Sequence, residues 1–191
     1  NPWVSAPATT RARDGLGPLY NTNACQNCHI RDGRGHLPQS ITDNSVSLLL
    51  RLSLPAKNAA EKIRQTQQGP QPIPAYGNQL QDFALPGVPA EGRITLSWSA
   101  LTVNFDDGEA IELRRPSFEI SNLGYGTLPR DFEVSARIAP PMIGLGLLAA
   151  IDENTLQIWS DPKDLNGDGI SGKVNQVKTL GHDVLSTGRF G

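Results

Sequence analysis

The sequence predicts an α+β fold in which short helices and a β-hairpin are joined by long loops. One observation is the alternation of apolar and polar residues over 93–120, interrupted by the turn Asp106-Asp107-Gly108, which is typical of a hairpin. A second is the 19 glycines and 15 prolines among 191 residues, more than an average globular chain contains. A third is a set of short apolar segments with helical spacing after residue 139. We expect a single domain over 1–191, with a β-rich insertion at about 45–120.

Composition excludes several function classes. Lysine and arginine total 17 against 19 acidic residues, so the net charge is −2, and the basic patch that nucleic-acid binding requires is missing. No apolar stretch reaches the ~18 to 20 residues of a membrane span. The N-terminal residues have neither the basic nor the apolar region of a signal peptide. We therefore expect neither a nucleic-acid partner nor a membrane span, and any export signal to have been removed.

The first predicted element after the N-terminal loops is a strand over 45–54. Val46, Leu48, Leu50, Leu52 and Leu54 occupy alternate positions there, which is the period of a strand with one buried face. Residues 67–90 contain five prolines and three glycines, and this composition favours a long ordered loop. Tyr76, Leu80, Phe83 and Leu85 give this loop side chains with which to pack.

The remaining elements are the hairpin and two short helices. Pro116 in the second strand of the hairpin predicts an edge position or a break. Pro140 and Pro141 suit the first turn of a helix over the segment MIGLGLLAAI, which we expect to be buried. A second short helix follows in DENTLQIW, with Asp152 or Asn154 as its N-cap.

The chemistry of the sequence is concentrated in its two cysteines. Cys25, Cys28 and His29 form a C-x-x-C-H motif, the attachment motif of c-type haem. Two thiols at this spacing can reach both vinyl groups of one porphyrin, and the following imidazole can bind the iron as the proximal axial ligand. The motif predicts one covalently attached haem c, carried by a short helix because glycines and prolines surround it.

Three other interpretations of the cysteine pair stay open. A thioredoxin-type redox pair needs a βαβ context, whereas the flanking residues are loop-like and rich in glycine. A structural zinc site needs four ligands, but the chain has only two cysteines and three histidines. A disulfide between residues three apart would close a loop too small to stabilise the fold much.

Beyond this motif, the sequence resembles the di-haem c-type oxidoreductases, a family of peroxidase-like proteins also called thiol oxidoreductases. The resemblance extends in order along nearly the whole chain. It is carried by DGLGPLYNTNACQNCHIRDGRG (14–35), LLLRLS (48–53), YGNQLQDFALPG (76–87), AEGRI (90–94), ELRRPSFEI (112–120), ARIAPPMIGLGLLAAI (136–151), DPKDLNGDGISGKVN (161–175) and GRFG (188–191).

The resemblance implies a bacterial periplasmic or membrane-associated protein related to the di-haem cytochrome c peroxidases, with two cytochrome c-like domains. Such proteins carry two haems, whereas this chain has one C-x-x-C-H and stops at GRFG, where the family continues into its second haem domain. We therefore expect the chain to be the N-terminal half. By this analogy its haem reduces a small oxidant such as hydrogen peroxide, with electrons from a second haem domain or a donor protein.

The sixth iron ligand decides between catalysis and electron transfer. Met142 is the only methionine and is a candidate distal ligand; its alternative role is to fill a gap in the core. His36 and His182 are further candidates, with a position near a propionate or in solvent as the alternative. A permanently six-coordinate haem would make the chain an electron-transfer module. A third alternative is a partner in iron handling, in which the haem is incidental.

Other side chains could serve the cofactor or the substrate. Arg31 and Arg34 follow the motif closely and are candidates for pairing with haem propionates, because guanidinium binds carboxylate in bidentate fashion. Tyr125, Glu133 and Gln79 are candidate acid–base groups for peroxide cleavage. The sequence does not rank them, so the catalytic residues stay unknown.

A last motif indicates a calcium loop near the C-terminus. Asp164, Asn166 and Asp168 place oxygen atoms at alternate positions before a glycine, as in an EF-hand loop. Asn175 stands where that loop has its bidentate glutamate. The alternative is an Asx-rich turn closed by its own backbone hydrogen bonds.

Overall fold

The computed structural model describes residues 2–39, 45–178 and 184–188. Within them the strands are β1 (Val4–Ser5), β2 (Asp14–Leu16), β3 (Leu19–Tyr20), β4 (Leu48–Ser53), β5 (Phe83–Ala84), β6 (Arg93–Asn104), β7 (Ala110–Ser121), β8 (Glu133–Ile138), β9 (Gln176–Lys178) and β10 (Leu185–Thr187). The α-helices are α1 (Cys25–Cys28), α2 (Ala59–Gln68), α3 (Leu145–Ala149) and α4 (Glu153–Ile158), and short 3-10 helices span Arg11–Arg13 and Ile30–Asp32.

Backbone contacts divide the chain into two compact units. The first consists of Asn1–Ser53 and Pro72–Pro141, and the second of Leu54–Gln71 and Met142–Gly191. In the first unit β1 pairs with β2 in parallel, while β3 with β5, β4 with β8 and β6 with β7 are antiparallel pairs. In the second unit β9 and β10 form an antiparallel pair.

The apolar core of the first unit is built around β4. Every second side chain of this strand is buried, and Leu50 is fully inaccessible. One edge of β4 pairs with β8, from Leu48–Ile138 to Ser53–Glu133. The other edge is met by the loop over 78–80, where the Leu80 N–H donates to the Leu50 carbonyl at 3.0 Å. Residues from two distant parts of the sequence therefore flank this strand.

The strand over 45–54 and the hairpin over 93–120 are both confirmed. The first is β4, and the second is β6 and β7, which pair from Arg93–Ser121 to Asn104–Ala110. Pro116 lies inside β7, opposite Trp98 of β6, and does not end the strand. Each strand of a two-stranded sheet has a free edge, on which a missing N–H is tolerated.

The loop over 67–90 is confirmed in part. Tyr76 and Leu80 are buried as expected, while Phe83 is 44% exposed. The sequence analysis missed α2, which begins before this segment and runs into it. Its signal was present: the Asn58 side chain accepts a hydrogen bond from the Glu61 N–H at 2.9 Å, and Asn-x-x-Glu is a recognisable helix start.

The helix predicted over 142–151 is confirmed only for 145–149, so it does not begin at Pro140 and Pro141 as expected, and it was wrongly expected to be buried. It forms the five-residue helix α3, in which Leu147 is 79% exposed and no residue is buried. Periodicity identifies an apolar face but not a neighbour that covers it. The next predicted helix is confirmed as α4, and the carboxylate of its N-cap Asp152 accepts from the Asn154 N–H.

A few short helices among several small sheets agree with the α+β class. The finer prediction of one cytochrome c-like domain stays a prediction. Among the residues that the structure describes, no helix has the length and apolar character needed to cross a membrane.

One buried carboxylate in the first unit makes stability depend on pH. Glu91 is only 4% exposed, and its Oε2 accepts a hydrogen bond from the Gln81 N–H at 2.6 Å. Burial raises the pKa of Glu91 above its usual 4.5, and the Gln81 N–H offsets part of this increase. The folded state therefore binds a proton more tightly at this site than the unfolded chain.

We expect this site to lose stability as pH rises. Its contribution is complete below pH 4.5 and disappears as the pH passes through the raised pKa of the folded state. Glu91→Gln removes the titration and keeps an oxygen acceptor for Gln81. Denaturant titration from pH 4 to neutral measures the unfolding free energy of the unsubstituted chain and of E91Q. The unfolding free energy of the unsubstituted chain minus that of E91Q should fall as the pH rises. Parallel pH profiles for the two proteins would contradict this expectation.

Candidate haem-attachment site

The C-x-x-C-H motif lies on a single helical turn, α1. Ala24 precedes it in extended conformation, and the His29 N–H closes it by donating to the Cys25 carbonyl at 3.0 Å. Residues three apart on a helix lie on the same side, which suits two thiols that attach to one ligand. Both cysteines are free; Cys25 is exposed and Cys28 is buried.

The turn is attached to the residues that lead into β4. The Cys28 Sγ lies 3.0 Å from the Val46 carbonyl oxygen, and the buried Ser47 hydroxyl donates to the Cys28 carbonyl at 2.9 Å. The next link extends the β4–β8 pairing, because the Ala139 N–H donates to the Ser47 carbonyl at 3.0 Å. The Gly35 N–H in turn donates to the Ala139 carbonyl at 2.9 Å. These bonds hold Cys28 and the residues that follow the motif at the end of the β4–β8 sheet.

The imidazole of His29 is oriented by the residue that follows Ala139. Its Nδ1 lies 2.7 Å from the Pro140 carbonyl oxygen. A carbonyl oxygen only accepts hydrogen bonds, so Nδ1 carries a proton, and in the neutral imidazole Nε2 then keeps its lone pair. A hydrogen bond to a carbonyl from the second ring nitrogen is the usual support of a metal-binding histidine. The tautomer of His29 is therefore the one that an axial ligand needs.

A cavity of about 590 Å³ opens beside the motif, which is within the size range of cofactor sites. Asn27 and Ile30, on either side of Cys28 and His29, contribute to its wall. The other lining residues are Tyr20, Asn21, Thr22, Asn23, His36, Ser45, Val46 and Phe83. The cysteines and His29 adjoin the cavity through their neighbours and do not line it themselves.

The residues present fit a covalently attached haem. Two free thiols, an imidazole with an available Nε2 and an adjoining cavity are the donor set and the space that this group requires. Tyr20 and Phe83 supply apolar surface to the cavity wall, with ring centroids 6.0 Å apart and planes 15° from parallel.

The geometry disfavours the other interpretations of the cysteine pair. Burial, the nearby Asp82 carboxylate and Cys25 all raise the pKa of the Cys28 thiol, whereas redox-active pairs lower the pKa of a thiol. The two sulfurs are not joined in a disulfide. For zinc, no group of three or more histidine, cysteine or acidic side chains arranged to hold a metal occurs in the described ranges.

A network of hydrogen-bonded polar side chains includes Asn21 of the cavity wall. Asn21 donates to the Asp82 carboxylate at 2.9 Å and to the Leu80 carbonyl at 2.7 Å. Gln79 donates to Asn21 at 2.6 Å and accepts from Arg51 at 3.2 Å. Burial raises the pKa of Asp82, and the bond from Asn21 offsets part of this increase. Asn21 therefore lines the cavity. Gln79, one of the candidate acid–base groups, does not line it and is connected to it through its hydrogen bond to Asn21.

Tyr125 and Glu133 are engaged elsewhere in the first unit. The Tyr125 hydroxyl donates to the Pro89 carbonyl at 3.0 Å, and Glu133 accepts from Ser53 at 3.3 Å. Neither residue lines the cavity. The structure does not bring these two candidate acid–base groups to the motif.

Arg31 and Arg34 are exposed beside the motif, as a propionate-binding role would require. Arg31 has a left-handed backbone, with φ of 54°. Neither guanidinium has a hydrogen bond or ion pair to another described residue. Their pairing with propionates stays a prediction.

The candidate distal ligands are spread over the chain. His36 lines the cavity, and its Nδ1 lies 3.1 Å from the Leu37 carbonyl oxygen. Met142 belongs to the second unit and is 43% exposed, so its role as iron ligand stays a prediction. His182 lies outside the described residues.

The candidate calcium loop is closed by hydrogen bonds of its own. Its acceptors are the side-chain oxygens of Asp161, Asp164, Asn166 and Asp168, which receive backbone N–H bonds from Leu165, Gly169, Asp168 and Ile170 respectively. This pattern is the Asx-rich turn that the sequence left as the alternative. Calcium binding by Asp164, Asn166 and Asp168 stays a prediction.

Sequence reasoning missed Asn21, Ser47 and Pro140. Asn21 lies four residues before Cys25, a proximity that could have drawn attention to it. The contribution of Pro140 is a backbone carbonyl 111 residues from His29, and the residue types of the sequence carry no signal for such a contact.

Comparison with known proteins gives one match. A family model described as "Di-haem oxidoreductase, putative peroxidase" matches residues 2–191. Neither the curated proteins nor the solved structures contain a match to this chain.

Gly35 offers a direct test of how the motif is held. A Cβ atom at this position would lie 2.3 Å from the Ser47 Cβ and 2.8 Å from the Cys28 carbonyl oxygen. Gly35→Ala should therefore force the motif and the residues before β4 apart, at a cost of about 1–3 kcal/mol in unfolding free energy.

The matched control is Gly146→Ala, because a Cβ there has no neighbour within 4 Å. It should leave stability unchanged or raise it by up to about 1 kcal/mol, since alanine favours a helix. Denaturant titration measures both variants. Equal stability of the G35A and G146A variants would show that Gly35 does not hold the motif in place.

Proposed function

This chain belongs to the di-haem oxidoreductase family, and from that premise we propose that it is a c-type haem protein that reduces peroxide. In this proposal Cys25 and Cys28 anchor one haem, and His29 is its proximal ligand. A second haem, on another domain or on a donor protein, supplies the electrons. The proposal includes a location in the bacterial periplasm, which the family resemblance implies.

The observation that carries the proposal is the hydrogen bond from His29 to the Pro140 carbonyl. It leaves the Nε2 lone pair available, and it prevents the ring from turning that lone pair away. Haem iron held by one such ligand supplies an open coordination position and a reversible change of oxidation state. Pro140 acts here as a positioning residue, through its backbone.

The two cysteines supply the covalent attachment. Each thiol would add across one vinyl double bond of the porphyrin, so that the sulfur bonds to carbon and the thiol hydrogen remains in the product. The exposed Cys25 is open to the incoming porphyrin, whereas Cys28 is buried and lies against the Val46 carbonyl. Attachment at two points keeps the cofactor bound when its oxidation state changes.

The surrounding residues divide the remaining tasks. Ile30, Tyr20 and Phe83 give the cavity wall its apolar surface, which excludes water from the bound group. Asn21 and Asn27 add amides to the same wall. Arg31 and Arg34 are exposed next to the motif, where their guanidinium groups suit haem propionates.

The overall reaction in this proposal takes two electrons and two protons from outside the chain and converts hydrogen peroxide to two molecules of water. The chain holds one C-x-x-C-H, so a di-haem reaction needs the second haem domain or donor protein as its partner. The family description supports oxidoreductase chemistry, and peroxide as the oxidant is part of the proposal.

Electron transfer without a substrate is the alternative function. It is favoured by one observation: the thioether of Met142, the only methionine, is part of an exposed side chain rather than a filler of the core. A second strong ligand would occupy the sixth position permanently and leave the iron closed to peroxide.

The role of His29 can be tested by chemical rescue. In a host that attaches c-type haem, the chain should acquire one covalent haem, and His29→Gly should change its ferric absorption spectrum. Added imidazole should restore the spectrum, because it replaces the missing ligand. His36→Gly removes the candidate distal ligand that lines the cavity and should leave the proximal ligation unchanged, so a spectral change in H36G would assign His36 to the distal side. A H29G spectrum identical to that of the unsubstituted protein would exclude His29 as the iron ligand.

Met142→Leu separates peroxide reduction from electron transfer. For the peroxidase function we expect a high-spin ferric haem that binds cyanide rapidly, with no change in the M142L variant. A low-spin spectrum with a methionine-to-iron charge-transfer band, lost in M142L, would contradict that function and support electron transfer.

A further inference from the structure

The β6–β7 hairpin is a long arm, and one of its surfaces has no role in the proposed function. Twelve residue pairs connect its strands, which corresponds to a length of about 40 Å. Beyond the last pair the Phe105 N–H donates to the Glu109 carbonyl at 2.8 Å, so the ladder continues to the turn. Within the described part of the chain this sheet consists of β6 and β7 alone, and a two-stranded hairpin alone is marginally stable.

Apolar side chains change from one face of the arm to the other along its length. Side chains alternate between the faces of a strand. Near the base, one face carries the paired residues Ile94–Ile120, Leu96–Phe118 and Trp98–Pro116. Near the turn, the opposite face carries Leu101–Leu113 and Val103–Ile111, followed by Phe105. We call Leu101, Val103, Phe105, Ile111 and Leu113 the tip face.

The tip face is exposed. Phe105, Ile111 and Leu113 are 48%, 41% and 46% exposed, and Leu101 and Val103 are half-buried. The pair between Leu101–Leu113 and Val103–Ile111, which is Thr102–Glu112, places polar side chains on the opposite face. A contiguous apolar patch that is exposed in this way marks an interaction site.

Charges around the tip face indicate what covers it. Arg115 pairs with Ser99 and lies on the same face as Leu101 and Leu113, toward the base. Glu109 lies on this face as well, at the turn opposite Phe105. The tip face therefore has a basic residue at one end and an acidic residue at the other.

These charges match those of a second copy placed antiparallel on the first. The midpoint of the tip face along the arm is level with the Thr102–Glu112 pair, whose own side chains lie on the other face. Ser99–Arg115 lies three pairs from this midpoint toward the base, and Phe105–Glu109 three positions toward the turn. A two-fold axis through this centre brings Arg115 of each copy over Glu109 and the Phe105 ring of the other. One salt bridge and one cation–π contact then form twice.

We propose that the tip face is a self-association surface on which two copies of this chain pack as a face-to-face pair of hairpins. The pairing gives each two-stranded sheet a second layer, which is the stable arrangement for such sheets. The proposal is independent of the haem chemistry. Because few apolar residues are buried on each side, we expect reversible, concentration-dependent dimers rather than a permanent complex.

A charge swap on the intact haem-loaded chain tests the proposal. Sedimentation velocity over about a hundredfold range of concentration should show monomers and dimers. Arg115→Glu places like charges together, and so does Glu109→Arg; each should weaken the dimer by about tenfold or more. The double variant R115E/E109R restores opposite charges and should recover the affinity.

Arg114→Glu is the matched control. Arg114 is the neighbour of Arg115 in sequence but lies on the other face, where its guanidinium is 4.9 Å from the Trp98 ring centroid. It should not change the dimer dissociation constant. Leu113→Asp, at a site that is 46% exposed, should abolish dimers and preserve the fold.

Two results would overturn the proposal. One is a chain that stays monomeric over the whole concentration range, which would leave the tip face to a different protein. The other is a dimer whose affinity is unaffected by the R115E and L113D variants, which would place the interface elsewhere. Circular dichroism of each variant verifies that the hairpin is intact.

Discussion

The hydrogen bond between His29 and the Pro140 carbonyl is the constraint on which the site depends. It joins residues 111 positions apart, and the pairing of β4 with β8 fixes where that carbonyl lies. The ladder ends at Ser53–Glu133 on one side, and on the other it continues past Leu48–Ile138 through the Ala139 bond to Ser47. The sheet thus delivers both a carbonyl to the imidazole and a hydroxyl to the Cys28 carbonyl. A four-residue helix could not hold this orientation by itself, because so short a helix has little stability of its own.

Local signals in the sequence predicted the local structure. The alternation in β4, the turn of the β6–β7 hairpin and the Asp152 cap of α4 all involve residues that interact with near neighbours. The C-x-x-C-H motif belongs to the same class, since attachment chemistry requires those residue types at that spacing. Each of these features depends on residues within about a dozen positions of one another, and periodicity and capping rules describe such features well.

What could not be predicted is long-range contact. No pattern within 48–53 indicates that 133–138 is its partner, and no property of Pro140 indicates that its backbone supports an imidazole. The prediction that α3 is buried was wrong for the same reason, because an amphipathic pattern does not reveal whether a neighbour is present. The helix α2 is a different case, since its Asn58-x-x-Glu61 start was readable from the sequence. The cavity wall combines residues near 20, 30, 45 and 83, so the shape of the site is a property of the tertiary fold.

The most direct test of the account is peptide mapping of the protein purified from a host that attaches c-type haem. Cleavage after Arg13 and Arg31 releases the peptide over 14–31, which contains both cysteines and His29. We predict that this peptide carries one haem, and that neither Cys25 nor Cys28 reacts with an alkylating reagent in the denatured protein. A haem-free peptide with two alkylated cysteines would contradict it.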